Sequence, residues 1–185
     1  YTSNEGSVPE RVNMMKSLAD KYNKNIEIIQ GESGSQSKSG GHGALRQGAW
    51  TEEKQAKQLA RHMIIDILSN VYFTSYFSCM DMIEALNGSV DDVSSYLDYG
   101  YFGVLGAEFD EKGYSIGEYY KKHSYYVLQN ISSVLAGDIE SVKLPVCICP
   151  MEAERIFGTD LSREQLRYGG LRNAGGEALV LWHPS

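Results

Sequence analysis

The sequence has few cysteines, no long apolar run and no surplus of positive charge. Two of its three cysteines, Cys147 and Cys149, lie on one predicted strand, where neighbours on one face do not meet disulfide geometry. We therefore expect reduced thiols, and the Cys-x-Cys spacing has no second ligand pair that would indicate a metal site. No run of about 18 apolar residues occurs, so no membrane span is expected. The net charge of -7 argues against nucleic acid or an anionic membrane as a partner.

The composition that remains is typical of a globular protein. The chain has 185 residues, of which 42% are hydrophobic and 22% are charged, which suits one domain or one domain with a small appendage. Its 13 tyrosines are many for this length; phenol rings suit surfaces that stack on sugars, and equally suit cores and interfaces. The chain begins at Tyr1 rather than at a methionine, so we expect a piece of a longer protein.

A predicted strand near residue 30 ends at a carboxylate between two glycines. A helix is predicted over residues 8–22, and the β-branched run that starts at Ile26 predicts the strand after it. Gly31 and Gly34 allow the backbone to turn at the end of this strand. A carboxylate at the tip of a strand is where an α/β barrel places a catalytic group, so Glu32 is our candidate. The alternative is an ordinary exposed loop glutamate.

The polar loop over residues 33–48 is too long for a plain connection, and long loops in compact domains are often functional. It carries His42 and Arg46, which are candidate ligand contacts; a flexible surface excursion is the alternative interpretation. The loop does not match a phosphate-binding loop, because the required glycines are missing before Lys38. It does not match a nucleophile elbow either, because no closing glycine and no helix follow Ser33.

A second helix and strand follow this loop. Thr51 and a stripe of apolar residues over 56–68 predict the helix, and the aromatic and β-branched segment 71–77 predicts the strand. The strand contains Tyr76 and is followed by the polar Asp81. Alternating helices and strands predict a parallel sheet, with function gathered at the carboxyl ends of its strands.

The rest of the sequence divides near residue 137. Residues 82–115 lack a clear period, and Tyr101 within them could wall a sugar site or pin the loop to the body. A third helix is predicted over residues 116–136. Beyond it, an edge strand is predicted over residues 142–149 and a hairpin over residues 166–182. We therefore predict one domain over residues 1–137 and the start of a β-rich accessory domain over residues 138–185.

Four stretches in this order resemble the end of a known catalytic barrel. They are residues 28–34, residues 51–61, residues 72–81, and residues 101–105 taken with residues 122–130. Their order and spacing are similar to those of the clan A retaining glycoside hydrolases, which are (β/α)8 enzymes that include β-galactosidases, β-xylosidases and many endoglycanases. The resemblance implies an α/β fold: the last part of a TIM (β/α)8 barrel (helix, strand seven, helix, strand eight, helix) with a short β-rich C-terminal segment that begins a β-sandwich.

The resemblance also implies an activity. It gives Glu32 the role of nucleophile in double-displacement cleavage of O-glycosidic bonds, a reaction that uses two carboxyl groups about 5 to 5.5 Å apart. The acid/base residue would lie outside this chain, in the remainder of the barrel, so the isolated chain is expected to be inactive. No metal or organic cofactor is required. The expected contacts to a carbohydrate substrate are His42, Arg46, Tyr76, Asp81 and Tyr101.

Two other functions stay open at this stage. One is a non-catalytic carbohydrate-binding or assembly module. The other is a different α/β enzyme that uses Ser33 as its nucleophile. The sequence also departs from the resembling family near Tyr76, because that family often has a tryptophan there to floor the sugar site.

Overall fold

The computed structural model describes residues 5–40, 44–45, 47–83, 99–147 and 166–182. After a 3-10 turn at Glu5–Ser7, the helices and strands follow in this order: α1 Val8–Ala19, β1 Ile29–Ser33, α2 Glu52–Leu68, β2 Phe73–Tyr76, β3 Met82–Ile83, β4 Tyr99–Gly100, β5 Leu105–Phe109, β6 Ser115–Lys121, α3 His123–Val134, β7 Glu140–Val142, β8 Arg167–Asn173 and β9 Gly176–Trp182. The chain divides into two compact units. One contains Ile29–Met63 and Phe73–Val134, and the other contains Ile64–Tyr72 with the described parts of Asn4–Ile28 and Leu135–Ser185.

The first unit is built on a parallel pair of strands, β1 and β2. Ile29 lies opposite Phe73 and Ser33 lies opposite Tyr76, with an irregularity in the register between these pairs. The connection between the strands is long enough to contain α2, as parallel pairing requires. This helix begins after Thr51, whose hydroxyl accepts a 3.1 Å hydrogen bond from the backbone N–H of Lys54.

Antiparallel strands make up the rest of the first unit. Strands β3 and β4 pair over two residues each, and β5 and β6 form a hairpin that turns at Gly113, which has a φ of +81°. The carboxylate of Asp110 accepts 2.9 Å hydrogen bonds from the backbone N–H groups of Lys112 and Tyr114 and so closes this turn. The peptide bond between Phe77 and Ser78 is cis.

The second unit contains a three-stranded antiparallel sheet in the order β7-β8-β9. Asn173 pairs with Gly176 across the tight turn between β8 and β9, and the side chain of Asn173 accepts a 2.9 Å hydrogen bond from the N–H of Gly175. This hairpin confirms the prediction for residues 166–182. Leu171 on β8 is 1% exposed. Strand β7 ends at Val142, so most of the strand predicted over residues 142–149 does not form in the described residues.

The predicted fold class is wrong. The alternation of helices and strands stops at β2, and the described strands form four small sheets, three of which are antiparallel. The described part of the chain therefore lacks the final helix-strand repeats of a (β/α)8 barrel, and the resemblance to clan A glycoside hydrolases is overturned with that pattern. The predicted division at residue 137 is untested and stays a prediction.

The error is clearest at the third helix, which was predicted to begin at residue 116. Strand β6 occupies Ser115–Lys121 instead, and α3 begins at His123. Ile116, Tyr119 and Tyr120 favour a strand, and Gly117 has a φ of +71°, which a helix does not permit. None of the described helices is long and apolar enough to cross a membrane.

Candidate functional site

The candidate site lies at the carboxyl end of the β1–β2 pair, and we call it the strand-end site. It consists of Glu32, the segment Ser33–Ser37, Tyr76, Asp81, Tyr101 and Lys122. Glu32 is exposed, whereas the next residue, Ser33, is 2% exposed. The hydroxyl of Ser33 donates a 3.2 Å hydrogen bond to the carbonyl of Ser75. The backbone carbonyl of Ser33 accepts a 2.6 Å hydrogen bond from the N–H of Phe77. The chain is thus fixed to β2 directly after the exposed carboxylate.

The segment Ser33–Ser37 is polar and buried. Ser35 is 1% exposed and Gln36 is 0% exposed, so this part of the predicted loop is not a surface excursion. The side-chain amide of Gln36 donates a 2.9 Å hydrogen bond to the carbonyl of Ala44. The N–H and the hydroxyl of Ser37 both donate to the carbonyl of Tyr101, at 2.9 and 3.0 Å. Buried polar groups need such partners, and the partners hold the segment in one conformation.

The side-chain amide of Gln55 clamps this segment from α2. Its Nε2 donates to the carbonyls of Ser35 at 2.9 Å, of Tyr101 at 3.3 Å and of Gly103 at 3.3 Å. Its Oε1 accepts a 2.8 Å hydrogen bond from the hydroxyl of Ser124. Gln55 is 0% exposed, so both ends of one amide satisfy buried backbone and side-chain groups.

Asp81 and Lys122 form a buried ion pair. Lys122 Nζ lies 2.6 Å from Asp81 Oδ1 and donates a second 2.6 Å hydrogen bond to the hydroxyl of Ser37. Asp81 Oδ1 also accepts a 3.0 Å bond from the N–H of Gly103. Burial raises the pKa of the Asp81 carboxyl and lowers the pKa of the Lys122 ammonium, while the attraction between them opposes both shifts. The side chains are 3% and 1% exposed, so bulk water screens this pair little.

Two tyrosines complete the site. The hydroxyl of Tyr76 is buried, and this burial raises the pKa of Tyr76 to about 12, so the phenol stays protonated near neutral pH. Tyr101 holds the buried segment through its backbone carbonyl. Its ring faces Lys38, whose Nζ lies 5.3 Å from the ring centroid.

The structure brings four of the six predicted site residues to one region of the first unit: Glu32, Tyr76, Asp81 and Tyr101. His42 and Arg46 lie outside the described residues. The Asp81 carboxylate is turned to Lys122 and Gly103, so its predicted contact with a sugar is untested and stays a prediction. No group of three or more potential metal ligands occurs among the described residues.

Sequence reasoning missed the two side chains that hold the site together. Gln55 lies at the start of α2, beside the apolar stripe that predicted this helix, and nothing local indicates that it is buried. Lys122 is a lysine with tyrosines and another lysine as neighbours, which is typical of an exposed position. Its burial follows from contacts with residues 41 and 85 positions away, which leave no local pattern.

Comparison with known proteins gives no family for this chain. No protein-family model matches the sequence, and no curated protein sequence matches it either. Its function is therefore inferred from the geometry of the strand-end site.

Proposed function

We propose that this chain supplies the nucleophile of a retaining glycoside hydrolase and that Glu32 is that nucleophile. The observation that carries the proposal is an exposed carboxylate directly before a buried, hydrogen-bonded segment, at the carboxyl end of a parallel strand pair. An attacking carboxylate has to reach the sugar and yet keep one position, because catalysis depends on pre-organised groups. Glu32 meets the first condition because its side chain is exposed, and it meets the second because hydrogen bonds fix the next residue, Ser33, to Ser75 and Phe77.

The reaction proceeds in two displacements. The Glu32 carboxylate forms a bond to the anomeric carbon while the bond to the leaving oxygen breaks, and a second carboxyl group protonates that oxygen. The same second group then removes a proton from water, which attacks the anomeric carbon and releases Glu32. We propose that this acid/base group lies outside the present chain, so that the 185-residue chain alone does not turn over substrate.

The neighbouring residues would orient the sugar. The phenol of Tyr76 stays protonated and is a hydrogen-bond donor, and the ring of Tyr101 offers a flat face. His42 and Arg46 complete the proposed set of contacts to sugar hydroxyls. The chemistry itself requires no metal and no organic cofactor.

A mechanism-based label tests this proposal. The intact protein is treated with 2-deoxy-2-fluoro glycosyl fluorides of several sugars, and the adduct is located by mass spectrometry. Fluoride leaves without needing a proton from an acid group, so labelling reports on the nucleophile. We expect an adduct on the peptide that contains Glu32, lost in Glu32→Gln and retained in the matched control Glu27→Gln, which changes another exposed glutamate. A folded protein that no sugar labels would overturn the proposal.

A non-catalytic carbohydrate-binding module is the second candidate. It is favoured by the state of Asp81, because a carboxylate buried against Lys122 is closed to substrate and does not act as a mobile proton donor. Calorimetric titration of sugars against wild type and Glu32→Gln separates the two functions. A binding module keeps its affinity in the variant and forms no covalent adduct in the wild type.

A further inference from the structure

We propose that Lys122 is a positioning residue, which fixes the segment Ser33–Ser37 and through it the carboxylate of Glu32. The inference rests on the proposed role of Glu32 and goes further, because it names the group that sets the position of the nucleophile. Lys122 lies directly before α3 and joins parts of the chain that are distant in sequence. Its ammonium donates to Ser37, 85 residues earlier, and to Asp81, 41 residues earlier.

The hydrogen bonds around Lys122 form a directed chain. Lys122 has donors only, so the hydroxyl of Ser37 accepts from Lys122 and uses its own proton to donate to the carbonyl of Tyr101. Asp81 accepts from Lys122 and from the backbone N–H of Gly103. Both branches therefore end on the same short stretch of backbone, at residues 101 and 103. The ammonium ties the end of the buried segment to that stretch.

The link from Ser37 back to Glu32 is short and constrained. Only four residues separate the two side chains, counting from 33 to 36, and the backbone carbonyl of Ser35 is held by Gln55. At the other end, the hydroxyl of Ser33 is bonded to Ser75. The short segment between Ser37 and Glu32 therefore has little conformational freedom, and a displacement of Ser37 is passed on to Glu32.

A role in stability alone does not explain a lysine here. Buried ion pairs are weak evidence for stability, because the loss of hydration offsets much of the attraction between the charges. The ion pair does fix the directions of the surrounding hydrogen bonds, since it is compatible with only one arrangement of donors and acceptors. If Lys122 has a positioning role, a folded variant in which the ion pair is replaced by uncharged residues should still lose the order of the segment Ser33–Ser37.

The test compares two variants with matched controls in the intact protein. Ser37→Ala removes the acceptor of Lys122 on the segment and leaves the ion pair with Asp81. Its control is Ser133→Ala, which removes an exposed hydroxyl bonded to its own helix. The double variant Lys122→Met with Asp81→Asn removes both charges and keeps an acceptor for the N–H of Gly103.

Two readouts separate positioning from stability. The first is the rate constant for labelling of Glu32, which we expect to fall about tenfold or more in both variants, since small misplacements of a reacting group are costly. The second is amide hydrogen exchange at residues 33–37, which we expect to become about tenfold faster or more while α3 keeps its protection. Wild-type labelling and wild-type exchange in Ser37→Ala and in the double variant would overturn the proposal.

Failure of the two proposals looks different. If the folded wild type is not labelled, the proposed nucleophile is wrong, and hydrogen exchange alone then decides whether Lys122 fixes the segment. Faster exchange at residues 33–37 in the variants supports the positioning role, and unchanged exchange overturns it. If the wild type is labelled and the variants keep both its labelling rate and its hydrogen exchange, only the role of Lys122 fails.

Discussion

The substitution Gly103→Ala probes the closest backbone packing of the strand-end site. A Cβ at residue 103 would overlap the backbone of Met80, Asp81 and Leu105, all closer than the 3.0 Å that real Cβ atoms keep. These are backbone atoms rather than the ends of flexible side chains, so the chain itself has to move. The two hydrogen bonds at risk are both 3.0 Å long: Gly103 N–H to Asp81 Oδ1, and Asp81 N–H to the carbonyl of Leu105.

The expected loss of stability follows from these contacts. Overpacking costs about 1 to 3 kcal/mol. Weakening a neutral and a charged hydrogen bond adds about 1 to 2 kcal/mol. We therefore expect Gly103→Ala to lower the free energy of unfolding by about 3 kcal/mol or more, a large part of the roughly 5 to 15 kcal/mol typical of a domain.

The control is Gly31→Ala in the same unit. No atom lies within 4 Å of a Cβ at residue 31, so this change should be neutral or stabilising by up to about 1 kcal/mol. Urea unfolding followed by circular dichroism measures both variants against the wild type. If Gly103→Ala unfolds within about 0.5 kcal/mol of Gly31→Ala, the close approach to Met80 and Asp81 is wrong.

Three further predictions concern single buried groups. Leu59 is 1% exposed, so Leu59→Ala should lower the free energy of unfolding by about 2 to 5 kcal/mol. Leu18→Ala, at a 56% exposed position, should change it little. Equal losses for the two variants in urea unfolding would contradict the packing of Leu59. Burial lowers the pKa of His62, so the unfolded chain binds a proton more readily, and the free energy of unfolding should fall as the pH drops below about 6.5. His62→Gln should flatten this part of the profile of stability against pH. An unchanged slope in the variant would show that burial does not lower the pKa of His62. Burial raises the pKa of Tyr76 to about 12, so phenolate absorbance of the folded protein should show a late step that Tyr76→Phe reduces, and a titration without that step would refute the burial of the Tyr76 hydroxyl.

The local elements of the fold could be predicted from the sequence. The apolar stripe of α2 follows one clear period, and the turn around Gly175 indicates the hairpin of β8 and β9. The β-branched run that predicted β1 starts at Ile26, three residues before the strand begins at Ile29. The segment before α3 could not be assigned in this way. Its tyrosines favour a strand, but the strand forms by pairing with β5, and that pairing leaves no signal in the local sequence.

The sequence indicates Glu32, Tyr76 and Asp81 as parts of the candidate site, but it does not indicate the polar network that joins them. Glu32 is marked by the glycines around it and by the strand before it, which are local features. The polar network behind it is not local, since Lys122 and Ser37 are 85 residues apart. Burial of a lysine runs against its usual preference, and the carboxylate that permits it comes from a third part of the chain.

The clamp formed by Gln55 sets a limit on sequence variation. Its amide donates to three carbonyls and accepts from Ser124, all in a space closed to water. Glutamate has the same shape but no amide donor, so it would turn oxygens toward those three carbonyls, and asparagine is shorter by one methylene. In a library randomised at this position and selected for folding, glutamine should be recovered almost alone. A freely exposed helix position such as Lys57 should accept most residues.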